Sequence, residues 1–209
     1  MEQLQLDDLL KDTDLDKDAV TVNGIVYDVE IINHIGPYES DITIQCCSGW
    51  SDYKGMGISV IGVYDFVEAR SRVFLKDNIR EFQRLVDSRE HIIGYNSSRF
   101  DDKLCAAHGI RVATTFDICT EMKRATNSIF RSGYSLDRVA KATMGIGKSE
   151  YGAKVPVFWQ QGQFGSVIDY CLQDVNIERI LFILSQVDQI VDPNTGRYIT
   201  GIRRIATDT

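Results

Sequence analysis

Gly24-Ile25-Val26-Tyr27-Asp28-Val29-Glu30-Ile31-Ile32 is apolar apart from two acids, and it reads as a strand too hydrophobic for either face to meet bulk water. Side chains alternate along a strand, so Asp28 and Glu30 project from the same face, about 7 Å apart, together with Val26 and Ile32. Two carboxylates on a buried face are costly to desolvate and repel each other. A divalent cation removes both difficulties, and oxygen ligands of this kind suit Mg2+ or Mn2+. The competing reading is a half-exposed strand whose acids face water. The apolar company of Val26 and Ile32 on that face opposes it.

Outward from this strand, residues 57–65 (GISVIGVYD) and 70–75 supply further strands and predict a meander. Asp77 can cap a helix over 78–89, with Ile79, Phe82, Leu85 and Val86 as its apolar stripe. A short strand at 91–95 follows, then a helix near 99–108 that Gly109 ends. Ser135 can cap a helix through Met144, with Leu136, Val139 and Ala140 facing inward. The last long helix is predicted from Phe164 to Val187, and turn signals at 192–201 precede a short terminal strand. Strands first, then strands alternating with helices, predict an α/β fold: a mixed sheet flanked by helices.

Two more segments could bring acids to the same place. In Gly94-Tyr95-Asn96-Ser97-Ser98-Arg99-Phe100-Asp101 a strand ends and a helix begins, at the carboxyl end of the strand, where open α/β sheets bind ligands. Asp101 is the candidate ligand and Asp102 its competitor; either could instead serve the helix dipole. On the last helix, Tyr170 and Asp174 are four apart and share one face, bordering a stripe of Ile168, Cys171, Leu172 and Val175. Taken alone, that pair is what any helix boundary offers.

Length and composition fit one compact body: 209 residues, 44% hydrophobic. No run of about 18 apolar residues spans a membrane. The acidic start lacks the features of a secretory signal, and five cysteines without CxxC spacing read as reduced thiols of a cytoplasmic protein. The net charge of −7 argues against a nucleic-acid partner at first sight. It is unevenly placed, however: residues 1–20 hold seven acids against two lysines, leaving −2 for residues 21–209. Acids that bind metal attract cations, which then attract phosphate.

The three segments occur in one order, and together they resemble the DEDD 3'–5' exonucleases of the tyrosine subclass: D-x-E, then Y-N-x3-F-D, then Y-x3-D. More narrowly, the chain resembles stand-alone relatives of the family B DNA polymerase proofreading domain. Met56-Gly57-Ile58-Ser59-Val60, Ser135 through Lys141, and Pro156 through Val175 carry that likeness. It spans about residues 22–188 and implies an acidic arm at 1–20, a ribonuclease H-like exonuclease domain at 21–190 and a C-terminal extension at 191–209. The implied cofactors are two divalent metals, Mg2+ or Mn2+. Asp28 would bridge them, Glu30 and Asp174 would complete the first metal's shell, and Asp101 would hold the second metal, directly or through water. Tyr170 would orient the attacking water; a tyrosine with an ordinary pKa of about 10 is a positioner more than a base. Asn96 and Phe100 would contact the terminal nucleotide, the ring by stacking. The implied partners are a nucleic acid with a free 3' end, DNA favoured over RNA and single strand over double, and a replication or repair protein in a bacterial or virus-infected cell.

Ala142 through Ser149 brushes against a phosphate loop, but its first glycine is Ala142 and it leaves a helix. Lys148 and Lys154 read as solvated lysines, or as loop residues near the substrate. His34, His91 and His108 lack zinc spacing, and Arg203-Arg204 reads as a solvated tail. Two other functions fit the same residues: a catalytically silent nucleic-acid or replication-protein binding module, and a phosphodiesterase for short oligonucleotides.

Overall fold

The computed structural model describes residues 22–38, 42–128, 132–146 and 152–205. The acidic arm and Lys148 lie outside the described residues. In chain order the strands are β1 (Gly24–Ile31), β2 (His34–Ile35), β3 (Cys46–Cys47), β4 (Ile58–Asp65), β5 (Arg70–Phe74), β6 (His91–Gly94) and β7 (Phe116–Asp117). The helices are α1 (Tyr53–Met56), α2 (Ile79–Asp87), α3 (Asp101–Ala107), α4 (Ile118–Ala125), α5 (Leu136–Met144), α6 (Val155–Gln160) and α7 (Phe164–Ser185).

Five strands form one mixed sheet in the order β5-β4-β1-β6-β7. β1, β4 and β5 are the expected antiparallel meander, while β6 pairs parallel to β1 and β7 parallel to β6. β1 is therefore central, which is why it is apolar on both faces. Ile25, Tyr27, Val29 and Ile31 pack on one side with Phe82, Leu85 and Val86 of α2 and Leu104 of α3. Val26 packs on the other side with Phe116, Val175 and Phe182. Asp28 and Glu30 continue that second face, the one that α7 crosses.

A glycine lets α7 come close. Gly62 lies opposite Asp28 in the β1–β4 ladder. A Cβ there would meet Cys171 Sγ at 2.8 Å and Val175 Cγ2 at 3.1 Å. The helix thus rests on bare backbone beside Asp28. The ladder also shifts register between Glu30 and Ile31, an irregularity of the kind that re-aims a side chain.

Helix ends follow local chemistry. Ser135 caps α5 by accepting from the N–H of Arg138, and Gly145 closes it at φ 71°. Leu136, Val139 and Ala140 are buried as expected, and a fully buried Leu or Val side chain contributes roughly 1.5–3 kcal/mol. Asp77 does not cap α2: Asn78 holds the N-cap position, and its Oδ1 instead accepts from the N–H of Leu75 at 2.6 Å. On α7 the sheet-facing line is Val167, Cys171 and Val175, with Ile168 and Leu172 only half-buried. The later half of α7 is buried nearly all round, because α4, α5 and the C-terminal segment cover its other side. Although long, neither α7 nor any other described helix is apolar enough to cross a membrane.

The C-terminal segment is not a solvated tail. Ile199, Ile202 and Ile205 are buried in the cluster that packs on α7. Arg203 pairs with Glu121 at 3.1 Å, donates to Thr115 O at 2.6 Å and lies over the Phe116 ring, and Arg204 pairs with Asp188. The expected terminal strand is reduced, among the described residues, to one bridge between Val191 and Tyr198.

Candidate active site

The sheet puts the carboxyl end of β6 beside the second half of β1. Gly24–Val26 pair with His91–Ile93, so the loop after Gly94 emerges level with Tyr27 and Asp28. α3 begins at Asp101, across a cleft from Glu30, and α7 crosses the same face. The cleft has a volume of about 550 Å³, and Asp28, Glu30, Asn96, Phe100, Asp101, Tyr170 and Asp174 all line it. These seven, expected from the sequence to serve as metal ligands, water positioner or nucleotide contacts, are brought to one place. Asp101 and Asp174 are nearly inaccessible, at 5% and 2% exposure, while Asp28 and Glu30 are half-buried.

So many acids in one cleft create a strong negative field, and the neighbouring groups register it. Cys171 lies beneath Asp28, its Sγ 3.7 Å from Asp28 O and 4.0 Å from Asp28 Oδ2. Burial first, and then the charges of Asp28, Glu30 and Asp174, push its thiol well above the ordinary range. It remains a neutral S–H donor against the acids. Ligand atoms of Asp28, Glu30 and Cys171 lie within 4.8 Å of one another, the one such grouping among the described residues. Two hard carboxylates at that spacing, with two buried acids on the same cleft, fit a divalent cation. No histidine joins the grouping.

Adjacent acids on α3 have separate surroundings. Asp102 accepts hydrogen bonds from the Tyr27 hydroxyl at 2.5 Å and from both the N–H and the hydroxyl of Thr114 at 2.9 Å. Asp101 lines the cleft. Burial, followed by the charges of Asp101 and Asp102, raises the Tyr27 phenol well above its usual value, so it stays a donor.

Tyr170 approaches the chain tightly. A Cβ on Gly152 would lie 2.8 Å from the Tyr170 hydroxyl, so the residue facing this phenol has to be small. Gly152 also lines the cleft. Sequence reading passed over it because a lone glycine in a loop carries no periodic signal.

An aromatic wall was missed as well. Phe100 lies between Trp50, at 6.2 Å and 65°, and Tyr53, at 5.9 Å between ring centroids. Trp50 is 72% exposed and lines the cleft with Tyr53. Both belong to the segment between β1 and β4, which Gln160 of α6 anchors. Its amide nitrogen donates to Ile32 O and Gln45 O at 2.9 Å, and its oxygen accepts from Gln45 N–H at 2.7 Å. Beyond Trp50 and Phe100 the cleft opens into a more apolar compartment of about 480 Å³, reaching His34, Ile35 and Pro156. Lys154, exposed at the start of α6, lines neither space.

No family model and no curated protein matches this sequence. Among solved structures, a similar one is the family B DNA polymerase from the hyperthermophilic archaeon Pyrobaculum calidifontis, at a TM-score of 0.54 and 18% identity. The fold is ribonuclease H-like. The match covers 79% of this chain and 25% of the polymerase chain, so this chain spans about a quarter of that protein's length. The sheet carries Asp28 and Glu30, and the helices packed on it bring Asp101 and Asp174 to the same cleft.

Proposed function

We propose that this chain is a metal-dependent 3'–5' exonuclease of the tyrosine DEDD subclass, shortening single-stranded nucleic acid, DNA favoured, to nucleoside monophosphates. The observation that carries the proposal is the meeting of Asp28, Glu30, Asp101, Asp174 and Tyr170, from three distant segments, on one cleft. The sequence resemblance and the polymerase-like fold support a nucleic-acid substrate.

In this reading Asp28, Glu30 and Asp174 would hold one divalent ion and Asp101 a second. Bound there, such ions supply charge neutralisation at the phosphate and a water more acidic than bulk. The chain's own groups do the rest. The Tyr170 hydroxyl, close against Gly152, hydrogen-bonds and orients the attacking water. Phe100, flanked by Trp50 and Tyr53, stacks on the terminal base, and a stacked base is worth about 1–3 kcal/mol in systems of this kind. Asn96 hydrogen-bonds the terminal nucleotide. Burial holds Asp101 and Asp174 largely away from bulk water, while Asp28 and Glu30 stay open to the cleft.

The test is digestion of 5'-labelled DNA and RNA of several lengths with Mg2+, with Mn2+ or with chelator. A ladder shortening from the 3' end, abolished by chelator, is expected. Binding without shortening in any metal would make the chain a silent binding module. Cleavage confined to the shortest substrates would make it an oligonucleotide phosphodiesterase.

A further inference from the structure

Asp117 takes no part in the acid set, yet its buried carboxylate is fully engaged. It ends β7 and caps α4: Oδ1 accepts from the N–H of Thr120 at 3.1 Å. The same oxygen accepts from the N–H of Asn96 at 3.0 Å. Oδ2 accepts from the N–H of Ser98 at 3.3 Å and from the Ser98 hydroxyl at 2.5 Å. One carboxylate, reaching across from the neighbouring parallel strand, therefore holds the loop that turns from β6 into α3. That loop has a reason to need holding. Asn96 sits at φ 58°, a left-handed turn that asparagine tolerates better than most residues, and the bond from its N–H to Asp117 holds it there. Asn96 stands at one end of the loop and Phe100 and Asp101 at the other, and all three line the cleft.

We infer that Asp117 is a positioning residue of this site: its hydrogen bonds to Asn96 and Ser98 fix the loop that presents Asp101 to the metal-binding wall. The inference rests on the exonuclease reading for its kinetic consequence and on the acid site alone for its metal-binding consequence. A bare helix-capping role for Asp117 is the competing view. Asp117→Asn separates the two, because asparagine caps helices as well as aspartate does. Its carbonyl oxygen can still accept from Thr120 and Asn96. Its NH2 group, however, faces the Ser98 N–H, donor against donor. The cap survives, the Ser98 N–H loses its acceptor, and the Ser98 hydroxyl can stay bonded only by turning to accept from that NH2 group.

The experiment measures Mn2+ affinity of the full chain by titration, and kcat and KM on 5'-labelled single-stranded DNA, for wild type, D117N, S98A and the double variant. D117N should melt close to wild type while Mn2+ affinity and kcat each fall about tenfold, the scale seen when support behind metal ligands is removed. S98A should fall between wild type and D117N, and the double variant should lose less than the two single losses combined, because both act on the same clamp. Folded D117N with wild-type Mn2+ affinity and kcat overturns the inference. If D117N fails to fold, S98A decides alone, since it leaves the cap intact: wild-type values for S98A overturn the inference, and reduced ones uphold it. Weakened Mn2+ binding in D117N, with no protein shortening DNA, would uphold the positioning role and sink the exonuclease reading instead.

Discussion

The hydroxyl of Tyr27 donates to the carboxylate of Asp102, 75 residues further along the chain. Each partner sits next to a cleft acid, Tyr27 beside Asp28 and Asp102 beside Asp101. The bond lies on the far side of β1 from the cleft, within the core that α2 and α3 build. It therefore joins the two elements that carry acids from opposite sides of the site. Tyr27→Phe keeps the ring and removes the link, leaving Asp102 only its bonds to Thr114. Losing a hydrogen bond to a charged acceptor should destabilise by about 1.5–3 kcal/mol, as read by urea unfolding. Unchanged stability would show that the bond is not maintained in solution.

Asp28 and Tyr170 should separate in their effects on turnover. Asp28→Ala removes an acid from the tightest grouping in the cleft and should abolish shortening of labelled DNA. Tyr170→Phe removes one hydroxyl that orients water, and general acid–base or orienting groups contribute typically about 10²–10⁴-fold, so a measurable remnant should persist. Equal, wild-type-like rates for the two variants would refute the assignment.

Gly62→Ala tests how the long helix reaches the sheet. The added methyl meets Cys171 Sγ and Val175 Cγ2, and overpacking of this kind typically costs about 1–3 kcal/mol. Because Asp174 lies one turn from Cys171 on that helix, Mn2+ affinity should fall with stability. Cys171→Ala in the same protein clears one of the two contacts and should restore part of the loss, as thermal melting would report.

Asp65 gives the fold a defined acid sensitivity. Burial raises its pKa, but the paired hydrogen bonds and charge of Arg89, at 2.7 and 3.0 Å, with the N–H groups of Val67 and Glu68, bring it below the usual value. Its folded pKa is thus lower than its unfolded one, so the pair adds stability at neutral pH, and that stability is lost as pH falls through the carboxylate range. Arg89→Ala leaves the buried carboxylate with the N–H groups of Val67 and Glu68 and, as its nearest cation, Arg72 at 3.7 Å. A loss of roughly 3 kcal/mol at pH 7 is expected, shrinking toward pH 3. A pH-independent loss would mean that the ion pair is not its cause.

Thiol reactivity should follow burial. Cys46 is exposed and the other four cysteines are buried, with Cys105, Cys119 and Cys171 raised in pKa chiefly by desolvation. Since the thiolate is the reacting form, iodoacetamide at pH 8 should label Cys46 alone in the native protein, as peptide mass mapping would show. Prompt labelling of Cys171 would mean that α7 lifts from the sheet.

The apolar run around Asp28 could be recognised as a central strand because burial on both faces leaves the same mark wherever the strand lies. Ser135 and Gly145 showed the ends of α5 for a comparable reason: their preferences are set by bonds within a few residues. β7, at two residues, is too short to show a period, and α4 follows it at once. Trp50, Gly152 and Asp117 each act on residues far away in sequence, so no local pattern could reveal them. The choice between Asp101 and Asp102 was of the same type. Both can start a helix, and only the positions of Tyr27 and Thr114 decide which one turns away from the cleft. Alternation fixed that Asp28 and Glu30 share a face and helical pitch that Tyr170 and Asp174 do. Bringing the two pairs together required Gly62, a bare stretch of backbone on which α7 could settle, and that meeting is a property of packing between distant segments.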